Sequence, residues 1–526
     1  MQVETRGQAP MLSARRLAGY LYHLDTALES RWLRFILLAI AAALSAARFF
    51  HLSADFPNWS PWMQDQAKFT DEGWWACAAV RHALSGHWYV AGDYNPAAAL
   101  PVWPILLGGL FHFTGVSVVA ARAFTVAVAI STLFVVYRLV RRYTRADSYA
   151  PALLAVVLLA ASPFAFVFSR LAILETLVVF EFCLLLLAAS FASLKRFWPL
   201  AAMAALTTVM LLTKTTSALV IPAVIWIAWC AMERKAAGLA RAVVALAVLP
   251  AALVKCYEVL IARLGFGQDY HYFFSVNAMP EFDWRQTIPA LHDLFLNCFW
   301  IDRVLYPVGL CILVVTVAWK RKLWSNPLFA AAWMVIVIQA LFIVRRQDDY
   351  APRYFLVMLA PLIWVVVLTF GELMQRARKT ALLLLLFMAV SITSNVVMTS
   401  QFLTHRDYDF RDAAVAIAGM IRSHPEQSQL MLGVSGPQIS LMTGIPAIND
   451  FYGMQDGAEK LERYQPGWYL AWNGIDADNQ AMLAGYRLEK VASYPAFDDD
   501  DRTTLILYKM VRREDGSAAA AKGFGQ

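Results

Sequence analysis

The sequence predicts an α-helical polytopic membrane protein that carries a small α/β domain at its C-terminal end. Of its 526 residues, 60% are hydrophobic and 16% are charged, whereas about a quarter of the residues in a soluble domain are charged. Several apolar runs approach the ~20 residues that a helix needs to cross a bilayer. Beyond residue 404 the composition becomes that of a soluble domain.

Apolar runs of suitable length predict about eleven membrane spans. The longer runs are Leu33–Phe50, Val118–Val140, Tyr149–Phe168, Leu171–Leu194, Ala242–Ala262 and Thr380–Leu403. The shorter runs are Phe197–Leu212, Ser217–Met232, Val304–Trp319, Pro327–Val344 and Tyr354–Leu373. The run Ala98–Gly115 is short and is broken by Pro101 and Pro104, so we predict a juxtamembrane helix there rather than a crossing.

The distribution of basic residues predicts the orientation, because Lys and Arg accumulate in cytoplasmic loops. Clusters such as Arg141-Arg142 and Lys320-Arg321-Lys322 recur at every second loop. This places the N-terminus in the cytoplasm, and it places the first loop (51–116), the loop 263–302 and everything after residue 404 outside. The net charge of +7 therefore reflects topology, and it does not indicate a nucleic-acid surface.

Four segments follow from these patterns. Residues 1–32 form a cytoplasmic or interfacial segment, 33–403 the membrane domain, 404–512 an outer α/β domain and 513–526 a disordered tail. Within the α/β domain we expect the following strands and short helix. The strands are 430–434, 467–472 and 503–511, and the helix is 437–443.

The six cysteines show no CxxC spacing. Cys77 and Cys298 fall in outward loops, where an oxidising compartment would allow them to pair. The histidines show no spacing typical of a metal site, so the sequence predicts none there.

The acidic pair Asp71-Glu72 follows the first predicted span, in Phe-Thr-Asp-Glu-Gly-Trp-Trp. Acidic residues beside a membrane carry a desolvation cost, so their presence there indicates a structural or a catalytic role. One interpretation is that Thr70, Asp71 and Glu72 cap the helix that begins there. The other is that an ionised carboxylate accepts a proton from an attacking hydroxyl. The two roles are compatible, because a helix start holds a base rigidly.

A second charged motif is Ser169-Arg170-Leu-Ala-Ile-Leu-Glu175, between two spans on the outer side. Ionisable residues at span ends are functional candidates. The alternative is a structural ion pair between Arg170 and Glu175 that locks the hairpin.

Several cations lie on the outer side, against the orientation rule. They are Lys68, Arg81, Lys214, Arg345, Arg346 and Arg353. Each one taken singly fits contact with lipid headgroups. As a group around the acidic loop they indicate a bound phosphate, since Arg and Lys both bind phosphate oxygens.

Read in order, these motifs resemble the GT-C class of membrane glycosyltransferases, and especially the branch of protein O-mannosyltransferases and the bacterial transferase that adds aminoarabinose to lipid A. The resemblance covers essentially the whole membrane part. The matching stretches are Asp71-Glu72-Gly-Trp-Trp, Gly86-His-Trp-Tyr89, Asn95-Pro96, Pro104, Phe113-Thr-Gly115, Ala121-Arg122, Ser169-Arg170-Leu to Glu175, Leu212-Thr-Lys214 and Pro352-Arg-Tyr-Phe355 to Pro361.

The resemblance implies a polyprenyl-phosphate sugar donor, transfer with inversion, and a large outer loop packed over the helix bundle. It implies that Asp71, with Glu72 beside it, is the catalytic acidic motif, with Asp71 as the base or the group that orients the acceptor. Glu175 matches the second acidic motif. Lys214 and Arg353 match positions near the donor phosphate, to which Arg170, Lys68 and Arg81 are added as candidates. Asn95 and Tyr354 are candidates for substrate contacts.

Two departures from the family pattern narrow the resemblance. No large β-trefoil insertion is present, which argues against the eukaryotic mannosyltransferases. The expected location is the bacterial inner membrane. The segment after Asn95-Pro96 is rich in alanine where relatives often carry another proline, which leaves acceptor contacts open.

Simple chemistry supports the same reaction. A glycosidase needs a second carboxylic acid to protonate a poor alkoxide leaving group, whereas a lipid phosphate leaves as a stabilised anion. One base and a few cations are therefore sufficient. The main alternative is a transporter or flippase for a lipid-linked sugar, which would favour charges at mid-span. A non-enzymatic assembly protein would leave the acidic loop without a role.

The sequence leaves several properties open. It does not identify the sugar, or whether the acceptor is a glycolipid, a glycan or a protein. It does not predict the oligomeric state. A divalent cation on the acidic pair stays open, because two carboxylates do not define a metal site. Membrane lipids are the remaining expected partner, and no nucleic acid is expected.

Overall fold

A computed structural model gives the fold of this chain. It describes residues 30–144, 148–279, 281–292, 322–346, 351–499 and 501–513, and a few single residues between 293 and 321. Most of the predicted segments 1–32 and 513–526 therefore lie outside the described residues, as do Cys298 and most of the predicted span 304–319. The pairing of Cys77 with Cys298 stays a prediction.

The membrane part is a bundle of helices joined by short connections. Its helices are α1 (Arg31–Ala47), α2 (Asp71–Ser85), α3 (Val102–Thr114), α4 (Val118–Tyr143), α5 (Ala150–Ala161), α6 (Pro163–Phe168), α7 (Leu174–Ala189), α8 (Trp198–Thr213), α9 (Ile221–Ala231), α10 (Ala236–Arg263), α11 (Gly267–Val276), α12 (Pro327–Arg346), α13 (Leu356–Arg376) and α14 (Arg378–Thr404). The predicted spans fall on these helices, apart from the run 304–319.

Among the described residues, five helical segments are long and apolar enough to cross a membrane. They are Val118–Tyr143, Ala236–Arg263, Pro327–Arg346, Pro352–Arg376 and Arg378–Arg422. Shorter apolar helices, α3, α5 and α8 among them, accompany these segments. The predicted fold class, a polytopic helical protein with a small C-terminal α/β domain, is confirmed.

One predicted span is broken. The apolar run Tyr149–Phe168 folds as two helices, α5 and α6, rather than as one. Pro163 has no N–H to donate and suits the first position of a new helix. The Ser162 hydroxyl accepts the N–H of Ala165 at 3.2 Å and caps that helix. Hydropathy alone could not reveal this break, because both helices are apolar.

The loop 51–116, which we predicted to lie outside and call the outer loop, carries α2 and α3 over one end of the bundle. Asp71 and Glu72 lie in the first turn of α2, as the capping interpretation expects. Thr70 does not cap through its side chain, because its hydroxyl donates to the carbonyl of Gln66 at 3.0 Å. Helix α2 ends at Gly86, whose φ of 78° is a left-handed conformation that glycine adopts without steric cost.

The C-terminal domain is a five-stranded mixed sheet with helices. Its elements are α15 (Asp409–Arg422), β1 (Met431–Leu432), α16 (Gly436–Thr443), β2 (Ala447–Ile448), α17 (Gly457–Tyr464), β3 (Trp468–Trp472), α18 (Ala477–Met482), β4 (Tyr486–Pro495) and β5 (Thr504–Arg512). The strand order is β2-β1-β3-β5-β4. Strands β1, β2 and β3 are parallel, and β5 pairs antiparallel with β3 and β4. Strands β2 and β4 were not predicted.

This domain packs directly on the outer loop. The backbone of α2 at Gly73 lies against Pro437 and Gln438 of α16, and a Cβ at Gly73 would come within 2.2 Å of the Gln438 nitrogen. The Asp55 carboxylate accepts the N–H groups of Phe410 and Arg411 at 2.8 and 3.0 Å and thereby caps α15. Loop and domain thus form one outer layer over the helix ends.

Candidate functional site

A buried group of charged side chains lies where α2 meets one end of the helix bundle. We call it the Arg353 cluster, and its members are Asp65, Asp71, Glu175, Lys214 and Arg353. The Arg353 guanidinium contacts the carboxylate of Asp65, lies 2.5 Å from Asp71 Oδ2 and lies 3.2 Å from Glu175 Oε1.

Different elements supply these side chains. Asp71 begins α2, Glu175 lies in the first turn of α7, and Lys214 follows the last residue of α8. Arg353 lies in a 3₁₀ turn that leads into α13. Because helix starts present free N–H groups, they favour the negative charge of Asp71 and Glu175. The bundle therefore brings together residues that lie almost 300 positions apart.

Lys214 completes the cluster. Its ammonium group pairs with Glu175 and lies 4.6 Å from the ring centre of Tyr354. The Arg353 guanidinium lies 5.6 Å from the same ring. Tyr354 therefore holds both cations by its aromatic face.

Burial controls the protonation of Asp71. Removal of its carboxyl from water raises the pKa above the ordinary value, and the facing Arg353 guanidinium opposes that rise. The nearby carboxylates of Asp65 and Glu175 raise the pKa further. Asp71 is thus a more basic carboxylate than an exposed aspartate.

Glu72 points elsewhere. Its two oxygens accept from Arg122 at 2.7 and 2.5 Å, in a bidentate pair. They also accept the N–H of Ala172 at 2.8 Å and the side-chain amide of Gln438 at 3.0 Å. Glu72 thereby ties α2 to α4, to the start of α7 and to the C-terminal domain.

Arg81 and Asn95 belong to a second buried group, the Arg81 cluster, whose members are Arg81, Asp93, Asn95, Asp269 and Lys460. The Arg81 guanidinium pairs with Asp93 and donates to Asn95 Oδ1 at 2.9 Å. Asn95 donates to Asp269 at 2.9 Å. These contacts fasten the outer loop to α11 and α17.

Lys68 and Arg170 also have structural partners. Lys68 pairs with Asp499 of the C-terminal domain and donates to Asn58 at 3.1 Å. Arg170 donates to the carbonyls of Phe50 and His51 at 2.6 and 2.9 Å. The expected ion pair between Arg170 and Glu175 is not formed, because Glu175 turns to Lys214 and Arg353 instead.

Sequence reasoning missed Asp65 and Gln438, and it quoted Arg122 only as part of a motif. Asp65 accepts the backbone N–H of Arg353 at 3.1 Å as well as its guanidinium. Its position in the same acidic loop, six residues before Asp71, is a signal that could have found it. Gln438 gives no such signal, since it lies far along the chain in another domain.

A divalent cation stays a prediction, and in this structure the acidic pair does not turn both of its carboxylates toward one position. Asp71 faces Arg353, whereas Glu72 faces Arg122, so the two carboxylates do not share a coordination space. Within the described part of the chain, no group of three or more His, Cys, Asp or Glu side chains could hold a metal ion. Arg353 itself fills the space between Asp65, Asp71 and Glu175.

Known proteins share this architecture. A family model described as dolichyl-phosphate-mannose-protein mannosyltransferase matches residues 96–260. Among solved structures, ArnT from Cupriavidus metallidurans in the apo state is 14% identical, with a TM-score of 0.56, and the alignment covers 91% of this chain and 98% of ArnT. The undecaprenyl-phosphate-bound form of ArnT is 12% identical, with a TM-score of 0.55 over 90% of this chain and 97% of ArnT.

The chain has the GT-C fold. The resemblance drawn from the motifs is thereby confirmed at the level of the fold. The archaeal oligosaccharyltransferase AglB from Archaeoglobus fulgidus, in complex with an inhibitory peptide and a dolichol-phosphate, also matches. It is 11% identical, with a TM-score of 0.51 over 92% of this chain and 75% of AglB. A comparison with curated protein sequences finds no match.

The family match covers only part of the candidate site, whereas the structural matches cover most of the chain. Residues 96–260 include Glu175 and Lys214, but Asp71 and Arg353 lie outside them. The solved GT-C structures extend over nine tenths of this chain. The Arg353 cluster is therefore assembled from segments inside and outside the matched family region.

Proposed function

We propose that this protein is a membrane glycosyltransferase that transfers a hexose or a pentose from a polyprenyl-phosphate donor. The acceptor would be a glycolipid, a glycan or a protein at the outer face of a bacterial inner membrane. The N-terminus would lie in the cytoplasm, and the C-terminal domain would lie in the periplasm. The proposal assigns the boundaries 33–403 and 404–512 to the catalytic and the periplasmic parts.

One observation carries this proposal. The buried Arg353 cluster sets a carboxylate of raised pKa, Asp71, directly against the Arg353 guanidinium, and the second cation, Lys214, pairs with Glu175, which Arg353 also contacts. A carboxylate can remove the proton of an attacking hydroxyl. Cations beside it can stabilise the negative charge of a departing phosphate.

The chemistry is a single displacement. Asp71 accepts the proton of the acceptor hydroxyl while its oxygen attacks the anomeric carbon from the side opposite the phosphate. The bond between that carbon and the phosphate oxygen breaks, and its electrons pass to the lipid phosphate. Lys214 and Arg353 neutralise the negative charge that develops there. Attack from the opposite side inverts the anomeric configuration.

Charge balance explains how the donor would bind. Asp65, Asp71 and Glu175 carry three negative charges against the two positive charges of Lys214 and Arg353. A phosphate joins such a group only by replacing a carboxylate at one of the cations. Lys214 is the better candidate, since its side chain is 14% exposed, whereas Arg353 is enclosed by three carboxylates.

Some of these residues would act on the substrates, and others would hold the acting residues in place. Asp71 is the base, Glu175 holds the two cations, Lys214 binds the donor phosphate, and Arg353 adds positive charge beside it. Tyr354 and Glu72 position these groups. Lys68, Arg81, Arg170 and Asn95 hold the outer loop, because each is engaged with partners outside the Arg353 cluster.

The compared proteins support the donor class. The ArnT structure named above binds undecaprenyl phosphate, and the AglB structure binds a dolichol-phosphate together with a peptide. Both are lipid phosphates of the polyprenyl type. By this likeness, the long apolar helices of this chain would hold the lipid tail while its phosphate reaches the Arg353 cluster.

The test is sugar transfer by the purified full chain in nanodiscs. We expect product from a polyprenyl-phosphate sugar and none from the corresponding nucleotide sugar, with glycolipid, glycan and peptide acceptors offered in parallel. Movement of the lipid-linked sugar across the bilayer without any transfer product would replace the proposal with the transporter alternative.

A further inference from the structure

A cleft of about 310 Å³ lies between the first outer loop and the C-terminal domain. The loop contributes Gln66, Phe69 and Trp74 to one wall. The other wall comes from the carboxyl ends of the three parallel strands, with Val434 after β1, Asp450 after β2 and Trp472 at the end of β3. Its volume lies within the range of small-molecule sites, which begins at about 300 Å³.

The sheet topology marks this place as a binding crevice. From β1 the chain passes through α16 to β2 on one side, and then through α17 to β3 on the other side of β1. In open α/β sheets, ligands bind outside the carboxyl ends of parallel strands where the connections diverge in this way.

Aromatic side chains lead from the cleft toward the catalytic loop. The Phe451 side chain is 71% exposed and its ring lies 4.7 Å from that of Tyr452. The Tyr452 ring in turn lies 5.2 Å from Trp74. Trp74 is three residues from Asp71 on α2, about 4.5 Å along the helix axis. An exposed phenylalanine at the mouth of a cleft has no evident folding role.

The charged groups of the cleft are mainly acidic. Asp450 accepts from the Tyr469 hydroxyl at 3.2 Å, while its Oδ1 atom is buried without a hydrogen-bond partner among the described residues. Asp476 and Asp501 add negative charge, and Arg502 is the one cation among the described lining residues. An unpartnered buried acceptor costs free energy, and a ligand hydroxyl would satisfy it.

We propose that this cleft binds the saccharide part of the acceptor, with the sugar ring against Phe451 and Tyr452 and a sugar hydroxyl donating to Asp450. This inference rests on the proposed function, because only a transferase has an acceptor. Flat aromatic faces suit the C–H face of a sugar ring, and carboxylates accept hydrogen bonds from its hydroxyls. The excess of carboxylates selects uncharged or amino sugars over phosphorylated ones.

Ligand-observed saturation-transfer NMR on the full chain tests this proposal, in nanodiscs free of glycolipids and of sugar-based detergents. The probes are methyl α-D-glucopyranoside, D-glucosamine, glucose 6-phosphate and the peptide Ac-Ala-Thr-Ala-NH₂. We expect saturation of ring protons in the first two sugars and at least threefold less in glucose 6-phosphate. Phe451→Ala and Asp450→Asn should each lower the sugar signal at least threefold.

The matched control is Val415→Ala, which shortens another exposed side chain of the same domain, 55% exposed on α15, and should leave the signal unchanged. Equal sugar signals in wild type and both cleft variants, no sugar signal at all, or a peptide signal lost in those variants would overturn the proposal. Asp71→Asn should retain sugar binding while losing transfer, so failure of the cleft and failure of the transferase proposal are distinguishable.

Discussion

At the scale of single residues, the candidate site depends on how three carboxylates share two cations. Arg353 contacts Asp65, Asp71 and Glu175, and Lys214 also pairs with Glu175. A buried charge that loses its partner is strongly destabilising, whereas removal of both partners often is not. A variant that removes one of the two cations therefore needs a matched change of a carboxylate, whereas neutralising one of the three carboxylates leaves two negative charges against two positive ones.

Lys214→Met should weaken donor binding, because it removes a charge-assisted contact with the lipid phosphate worth about 1.5–3 kcal/mol, or roughly 10- to 150-fold in affinity. The single variant also leaves Glu175 without its ammonium partner and should unfold more easily. The double variant Lys214→Met with Glu175→Gln should recover thermal stability but not donor affinity. Recovery of donor affinity in the double variant would remove Lys214 from the phosphate site.

The pH dependence of transfer should report Asp71. Its raised pKa means that the carboxylate takes up a proton at a higher pH than an ordinary aspartate, near 3.9. The rate should therefore fall as pH decreases through a value above about 4. Glu175→Gln removes a neighbouring negative charge that raises this pKa, so the acidic limb should move to lower pH. Glu489→Gln, on exposed β4, is the control.

At the scale of elements, helix α2 presents Asp71 and is held on several sides. Glu72 fixes it to Arg122 and Gln438, and the Gly73 N–H donates to Gln438 Oε1 at 2.6 Å. The C-terminal domain therefore helps to support the loop that carries Asp71. A shift between α2 and α16 would move Asp71 relative to Arg353.

Gly73→Ala should test this support. The added methyl would lie within 2.4 Å of the α16 backbone, and such overpacking costs about 1–3 kcal/mol. We expect a lower melting temperature and a transfer rate reduced at least tenfold. Gly109→Ala is the matched control, since its methyl meets nothing within 4 Å in helix α3, and it should be neutral or stabilising. Equal effects of the two changes would contradict a role for this contact.

At the scale of the whole molecule, hydropathy and charge predicted most of the helices, because long apolar runs permit few other structures in a bilayer. The acidic loop and the outer cations predicted Asp71, Glu175, Lys214 and Arg353, which the structure brings into one cluster. The structure assigns Lys68 and Arg81 to other partners. Partners of this kind depend on tertiary packing, which local patterns do not encode.

Strand β4 is a second feature that local sequence patterns do not predict. Its residues alternate between exposed and partly buried, which makes a weak apolar pattern. Residues 486–495 form a strand because they pair with β5 in a hairpin. The pairing contains an irregularity between Lys490 and Ala492. The packing of Gln438 against Glu72 likewise depends on the docking of two domains.

The central claim is that Asp71 is the base of a glycosyl transfer, and Asp71→Asn tests it most directly. The variant keeps the size of the side chain but removes its basic oxygen. We therefore expect the rate of transfer from a polyprenyl-phosphate sugar to fall by roughly 100- to 10,000-fold. Melting temperature and donor binding, measured on the same nanodisc samples, should stay close to wild type. A folded Asp71→Asn variant that transfers sugar at the wild-type rate would contradict the account.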